Sequence, residues 1–190
     1  MPPADDCPDA VFVEDTVVIY GDLAVISGPG PDARRPDTAG TEETRAALGY
    51  RIARIEAPGT LGGGDVLTHD ATVCVGLGGR TNQAGIEQLA VVLAPSEADV
   101  VGVPVTRVLH LKSGVTALPD GTVIGYEPQV DDAARWPAFP PVPEAAGSQV
   151  PLDGSTVLSA GAPATRALFE AAACAWSRST SRSSRSSRAA

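Results

Sequence analysis

The stretch DTVVIYGDLAVISG, residues 15–28, sets two apolar runs on either side of Gly21-Asp22. β-branched and aromatic residues suit a pleated, half-buried surface, and a glycine–aspartate pair suits the tight turn between two strands. The same form returns in GDVLTHDATVCVG (64–76) and SGVTALPDGTVIGY (113–126), and the turn aspartates Asp22, Asp70 and Asp120 lie 48 and 50 residues apart. The first hairpin is followed by TEETRAALG (41–49), which predicts a helix capped by Thr41, and then by the strand RIARIEA (51–57). The second is followed by the helical TNQAGIEQLAVVLA (81–94) and the strand DVVGVPVT (99–106). A weaker fourth unit is QVPLDGSTVLSAG (149–161) with ATRALFEAA (164–172). A hairpin–helix–strand unit repeating at this period predicts stacked α/β modules, as in a solenoid or an open propeller. The Pro-rich WPAFPPVPEAAG (136–147) reads as an extended connection rather than a domain boundary.

Upstream of the first hairpin, DAVFVEDTVVIY (9–20) reads as a strand interrupted by Glu14 and Asp15. Successive strand residues face opposite sides, and a buried carboxylate needs a partner or a proton. The pair is therefore either a solvated turn or a site for a cation. Polar groups recur at the entry of the other hairpins: GGGD (62–65) before the second and VLHLKS (108–113) before the third. If the modules pack side by side, these entries converge. His110, between Leu109 and Leu111, is then a candidate catalyst or else a core histidine. Arg80 in GLGGRT (76–81) is an anion binder or a surface ion pair. A dinucleotide-binding loop would need a third glycine where Thr81 stands. Cys74, inside an apolar strand, reads as core, and Cys7 as a loop thiol.

The net charge is −9; without the four arginines of the last thirteen residues it is near −13, a poor basis for nucleic-acid binding. Three widely spaced cysteines make neither a disulfide framework nor a zinc site. No apolar run approaches membrane-spanning length, and MPPADDCPD does not read as a signal peptide. The expectation is a soluble cytoplasmic protein, with oligomeric state open.

PDAVFVEDTVVI, GGGDVL, VGLGGRTNQAG and LHLKS, in this order, resemble the dimethylarginine dimethylaminohydrolases over residues 8–170. These are guanidine-modifying enzymes with a five-bladed α/β propeller. The resemblance implies hydrolysis of methylated arginine to citrulline and dimethylamine by a Cys/His covalent mechanism, without cofactor or metal. A related guanidine hydrolase such as an arginine deiminase, or a fragment that only binds arginine-like ligands, stays open. It implies that Glu14 and Asp15 grip the guanidinium, that Asp9 holds the amino-acid end and that Phe12 lines the alkyl stem. Arg80 would bind the substrate carboxylate, and His110 would be the catalytic histidine. The chain departs from the pattern in four ways. Gly62 stands where the family has the acid that orients the histidine, and Gly28 where a second carboxylate-binding arginine is expected. The N-terminal blade and the strand bearing the nucleophilic cysteine are absent, so residues 1–173 are expected to form an incomplete propeller without covalent catalysis.

The remaining segment, CAWSRSTSRSSRSSRAA (174–190), reads at face value as a disordered Arg/Ser-rich tail. Lys112 is the only lysine among fourteen basic residues, which suggests GC-rich coding. With such codons the tail, read two bases out of frame, spells VPVDISEFEKLEGCV, a strand and an acidic helix leading toward the family's cysteine. The expectation is a frame shift near Glu170–Ala173, with Cys174 a by-product.

Overall fold

The computed structural model describes residues 12–28, 37–69, 71–118, 121–148, 152–153, 156–157 and 161–170. Asp9, Cys7, Asp70, Asp120 and the tail 174–190 lie outside them.

The first module is β1 (Val17–Tyr20), β2 (Leu23–Ile26), α1 (Asp37–Ala47) and β3 (Arg51–Arg54). β1 and β2 pair antiparallel with Val17 opposite Ile26, and β3 returns parallel to β2 with Arg51 opposite Leu23. Gly21 takes a φ of +57° in the connecting turn, a conformation that costs glycine little. The second module repeats this plan with β4 (Val66–His69), β5 (Thr72–Leu77), α2 (Gln83–Leu93) and β6 (Asp99–Pro104). The third opens with the short helix α3 (Leu111–Gly114), followed by the antiparallel pair β7 (Val115–Ala117) and β8 (Val123–Gly125). A two-stranded antiparallel pair, β9 (Leu152–Asp153) and β10 (Thr156–Val157), and a helix over 163–170 form the fourth unit. The α/β class and the repeated strand–strand–helix–strand order are those expected.

The middle strand of each module is buried on both faces, which explains its unbroken apolar sequence. In β5, Val73 and Val75 enter a core with Val25, Leu61, Leu89 and Leu93, while Cys74 faces a second core with Val103, Leu111, Val115 and Trp136. In β8, Val123 joins that second core and Ile124 packs with Val142 on the other side. The modules are thus held together by shared apolar layers between their sheets. Leu89 is 0 % exposed at the heart of the first layer. Leu89→Ala should lower stability by about 2–5 kcal/mol, read as a fall in the urea midpoint at unchanged slope.

Two local expectations need correction. The strand read over 9–20 is not continuous, and of the two readings of Glu14-Asp15 the turn is the one found: Val13–Thr16 is a 3-10 turn, closed by the Asp15 N–H donating to the Phe12 carbonyl (3.0 Å) and the Thr16 hydroxyl to the Val13 carbonyl (2.7 Å). Thr41 does not cap α1. The helix has begun by Asp37, and Thr41 is buried inside it with its hydroxyl 3.0 Å from that of Thr16. Asn82 does cap α2, accepting from the Gly85 N–H at 2.8 Å. The Pro-rich segment is an extended connection, and a packed one. Trp136 is buried and stacks on Phe139 at 5.6 Å, and Pro141 bridges β8 in parallel where the other modules have their third strand.

Candidate functional site

Each of the first three modules enters its first strand through a short helical turn. Glu14 and Asp15 lie in Val13–Thr16 before β1, Asp65 in Gly63–Asp65 before β4, and His110 directly before α3 and β7. The shared architecture brings these three entries together.

His110 sits between two carboxylates. Its Nδ1 is 3.4 Å from Asp65 Oδ1 and its Nε2 is 3.5 Å from Asp15 Oδ1. The Nδ1 contact is long for a hydrogen bond, and the Asp65 carboxylate acts on the ring both through it and through its charge. Asp65 is 1 % exposed and is fixed from two sides: Leu111 N–H donates to Oδ1 (3.0 Å) and the Thr81 hydroxyl to Oδ2 (2.6 Å). Asp15 is less enclosed and accepts from the Gly64 N–H at 3.2 Å. The Asp65 carboxylate against the ring, followed by the negative charges of Asp65 and Asp15, raises the imidazole pKa from its ordinary value of 6.5, against burial and the Arg80 charge, which lower it.

The three glycines of GGGD make the approach possible. A Cβ on Gly64 would lie 2.8 Å from both Asp15 Oδ1 and His110 Cγ, and one on Gly63 would collide with the Glu14 carbonyl. A Cβ on Gly62 would lie 3.2 Å from His110 Cε1, 3.6 Å from Nδ1 and 3.7 Å from Arg80 Cβ. Position 62 therefore faces the ring without offering it a polar atom. Gly28 backs onto the Ile55 carbonyl, 2.8 Å from where its Cβ would be, so an arginine there needs that backbone to move.

Glu14 points elsewhere. Its side chain is 68 % exposed and its Oε1 accepts from Lys112 Nζ at 2.7 Å. Phe12 is 57 % exposed at the start of the same turn. Arg80, half-buried in the loop between β5 and α2, lies close enough to His110 to act on its charge. The structure thus gathers Asp15, His110 and Arg80, with Glu14 at the edge, as the converging entries predict. Asp65 and Lys112 were not among the expected site residues. Cys74 is core, as expected; burial pushes its thiol up, and it is the only cysteine among the described residues.

Two carboxylates flank a histidine, with an arginine close by, on the strand–strand–helix–strand modules of an α/β protein. No protein-family model matches the chain. It is 54 % identical to the N(G),N(G)-dimethylarginine dimethylaminohydrolase of Streptomyces coelicolor over 169 residues, 88 % of this chain and 66 % of that protein. To the Pseudomonas aeruginosa protein of the same name it is 35 % identical over 65 % of this chain and 49 % of that one. A solved Pseudomonas aeruginosa structure of this kind, a mutant complexed with citrulline, matches with a TM-score of 0.81 at 30 % identity, over 90 % of this chain and 69 % of that one. A solved dimethylarginine dimethylaminohydrolase variant, an adduct with S-methyl-L-thiocitrulline, gives 0.83 at 29 % identity over 91 % and 70 %. The chain belongs to the dimethylarginine dimethylaminohydrolase family. It spans about half to two thirds of the length of these curated relatives. Among the described residues no helix is long and apolar enough to cross a membrane.

Proposed function

We propose that the His110 cluster is the guanidinium-facing part of a hydrolase converting Nω-methylated arginines to citrulline and a methylamine. The observation that carries this is the placement of His110 between Asp15 and Asp65, in a chain so similar to named dimethylarginine dimethylaminohydrolases. A guanidinium is a planar cation that carboxylates hold well, so Asp15 and Glu14 are assigned to it. Arg80 is assigned to the ligand's carboxylate, with Asp9 and Phe12 on the rest of the amino acid. His110, whose pKa the Asp65 carboxylate raises against the opposing effect of burial, is assigned to hand a proton to the departing amine and then to take one from water. The ligand partner is a small arginine derivative, and a cytoplasmic setting is part of the same reading. The covalent step needs a cysteine beside His110, and Cys74, the one described cysteine, lies in the core instead.

The test measures binding and citrulline release together. Calorimetric titration with Nω,Nω-dimethylarginine, arginine and citrulline should detect binding of arginine-like ligands, with citrulline formation limited to any preparation in which a cysteine completes the site. A chain that binds none of the three overturns the reading. Release from arginine in preference to dimethylarginine would assign the site to a deiminase.

A further inference from the structure

Two carboxylates flank the His110 ring, and they are not equivalent. Asp15 is on the more open side, its side chain 18 % exposed against 2 % for that of Asp65. Asp65 is enclosed, and both its oxygens are held by neutral donors, Leu111 N–H and the Thr81 hydroxyl. Neither donor neutralises the charge, and a buried carboxylate with no cation beside it is strongly disfavoured. The group placed to supply positive charge is the Nδ1 edge of His110. Leu111, whose amide anchors Asp65, is the residue next to His110, so the same carboxylate fixes the backbone that carries the ring. The facing position 62 is a glycine and offers nothing to compete.

We infer that Asp65 is the positioning residue for His110: it keeps the proton on Nδ1, fixes the ring's orientation and leaves Nε2, on the Asp15 side, as the nitrogen that exchanges protons. When the ring loses a proton, it loses it from the nitrogen whose partner carboxylate is better hydrated, because the enclosed charge acts through a lower effective dielectric. Thr81 holds the Asp65 carboxylate in place, and since Thr81 follows Arg80, the ring and the anion-binding loop share one anchor. Among the described residues the charged groups acting on His110 are Asp65, Asp15 and Arg80, with the Glu14–Lys112 pair nearby.

The inference rests on the cluster being the reacting site, but its readout needs no ligand, so the two fail separately. The experiment is a pH titration of the full chain by long-range proton–nitrogen NMR of the imidazoles, with His69→Gln assigning the second of the two rings. His110 should titrate above the ordinary histidine value, and its neutral form should carry the proton on Nδ1. Asp65→Asn should move the midpoint down and mix the tautomers. Thr81→Val, which removes the tether but keeps the charge, should give a smaller shift, and Gly62→Asp, which adds a carboxylate beside Nδ1, should move the midpoint up. A wild-type ring that is neutral as the Nε2–H form, or that titrates at or below the ordinary value, overturns the assignment whether or not Asp65→Asn folds. So does a folded Asp65→Asn chain with an unmoved midpoint, or a Thr81→Val shift as large as that of Asp65→Asn.

Discussion

Gly63→Ala should remove both the stability margin of the chain and its ligand binding. An ideal Cβ at position 63 falls on the Glu14 carbonyl oxygen, 3.0 Å from the Glu14 carbonyl carbon and 3.2 Å from the Val17 carbonyl oxygen. All three atoms are backbone, so no rotamer change relieves the overlap. Either the Val13–Thr16 turn moves away or the Gly63–Asp65 turn does, and each movement pulls Asp15 or Asp65 off His110. Overpacking against movable side chains costs about 1–3 kcal/mol, and a clash between two main chains belongs at or above the upper end. The control is Gly79→Ala, where an added Cβ meets nothing within 4 Å and the change in stability should stay within about 0.5 kcal/mol. Urea unfolding of both variants decides: an unchanged midpoint for Gly63→Ala would mean that the two turns do not pack as described.

The modular plan was legible because it is written in local chemistry. Gly21-Asp22 marks a turn, TNQAGIEQLAVVLA (81–94) marks a helix, and the apolar runs of β2, β5 and β8 are long enough to fill two faces at once. The convergence of the hairpin entries could be anticipated from the repeat alone. What escaped the sequence was set by tertiary contact. The turn at Glu14-Asp15 was one of two readings open to the sequence; what it could not show is that Gly64 donates to Asp15 from 49 residues away. Asp65 reads as an ordinary turn acid after three glycines, and only folding brings Leu111 and His110 to it across 46 residues. Lys112 reads as a solvated lysine until the fold sets it on Glu14, 98 residues earlier. Thr41 carries the signature of a helix cap, but the helix runs on past it and uses its hydroxyl for packing against Thr16.

Asp15→Arg should abolish binding of cationic ligands, while Glu14→Gln should weaken it only slightly. The two acids are neighbours in sequence, yet they stand in different electrostatic settings. The Asp15 side chain is 18 % exposed, lies 3.5 Å from His110 Nε2, and accepts from the Gly64 N–H of the Gly63–Asp65 turn. Glu14 is largely solvated and already engaged by Lys112. An ion pair at an exposed acid is worth about 0.2–1 kcal/mol, so Glu14→Gln should cost no more than about fivefold in Kd. Removing one partner of an enclosed, hydrogen-bonded charge pair costs about 2–5 kcal/mol, or roughly 30- to 4,000-fold, and reversing its sign belongs at the far end. The arginine would also stand beside the His110 ring and Arg80, so three basic groups would meet at the site proposed for the guanidinium. Comparing Nω,Nω-dimethylarginine with citrulline separates charge from shape, because the two share the amino-acid end and differ in the charge of the head. Calorimetric titration should find that Asp15→Arg raises the Kd of the cation far more than that of the neutral ureido compound. An equal loss for both ligands would show that Asp15 shapes the pocket and does not hold the cation, and the guanidinium would then have to be assigned to Glu14.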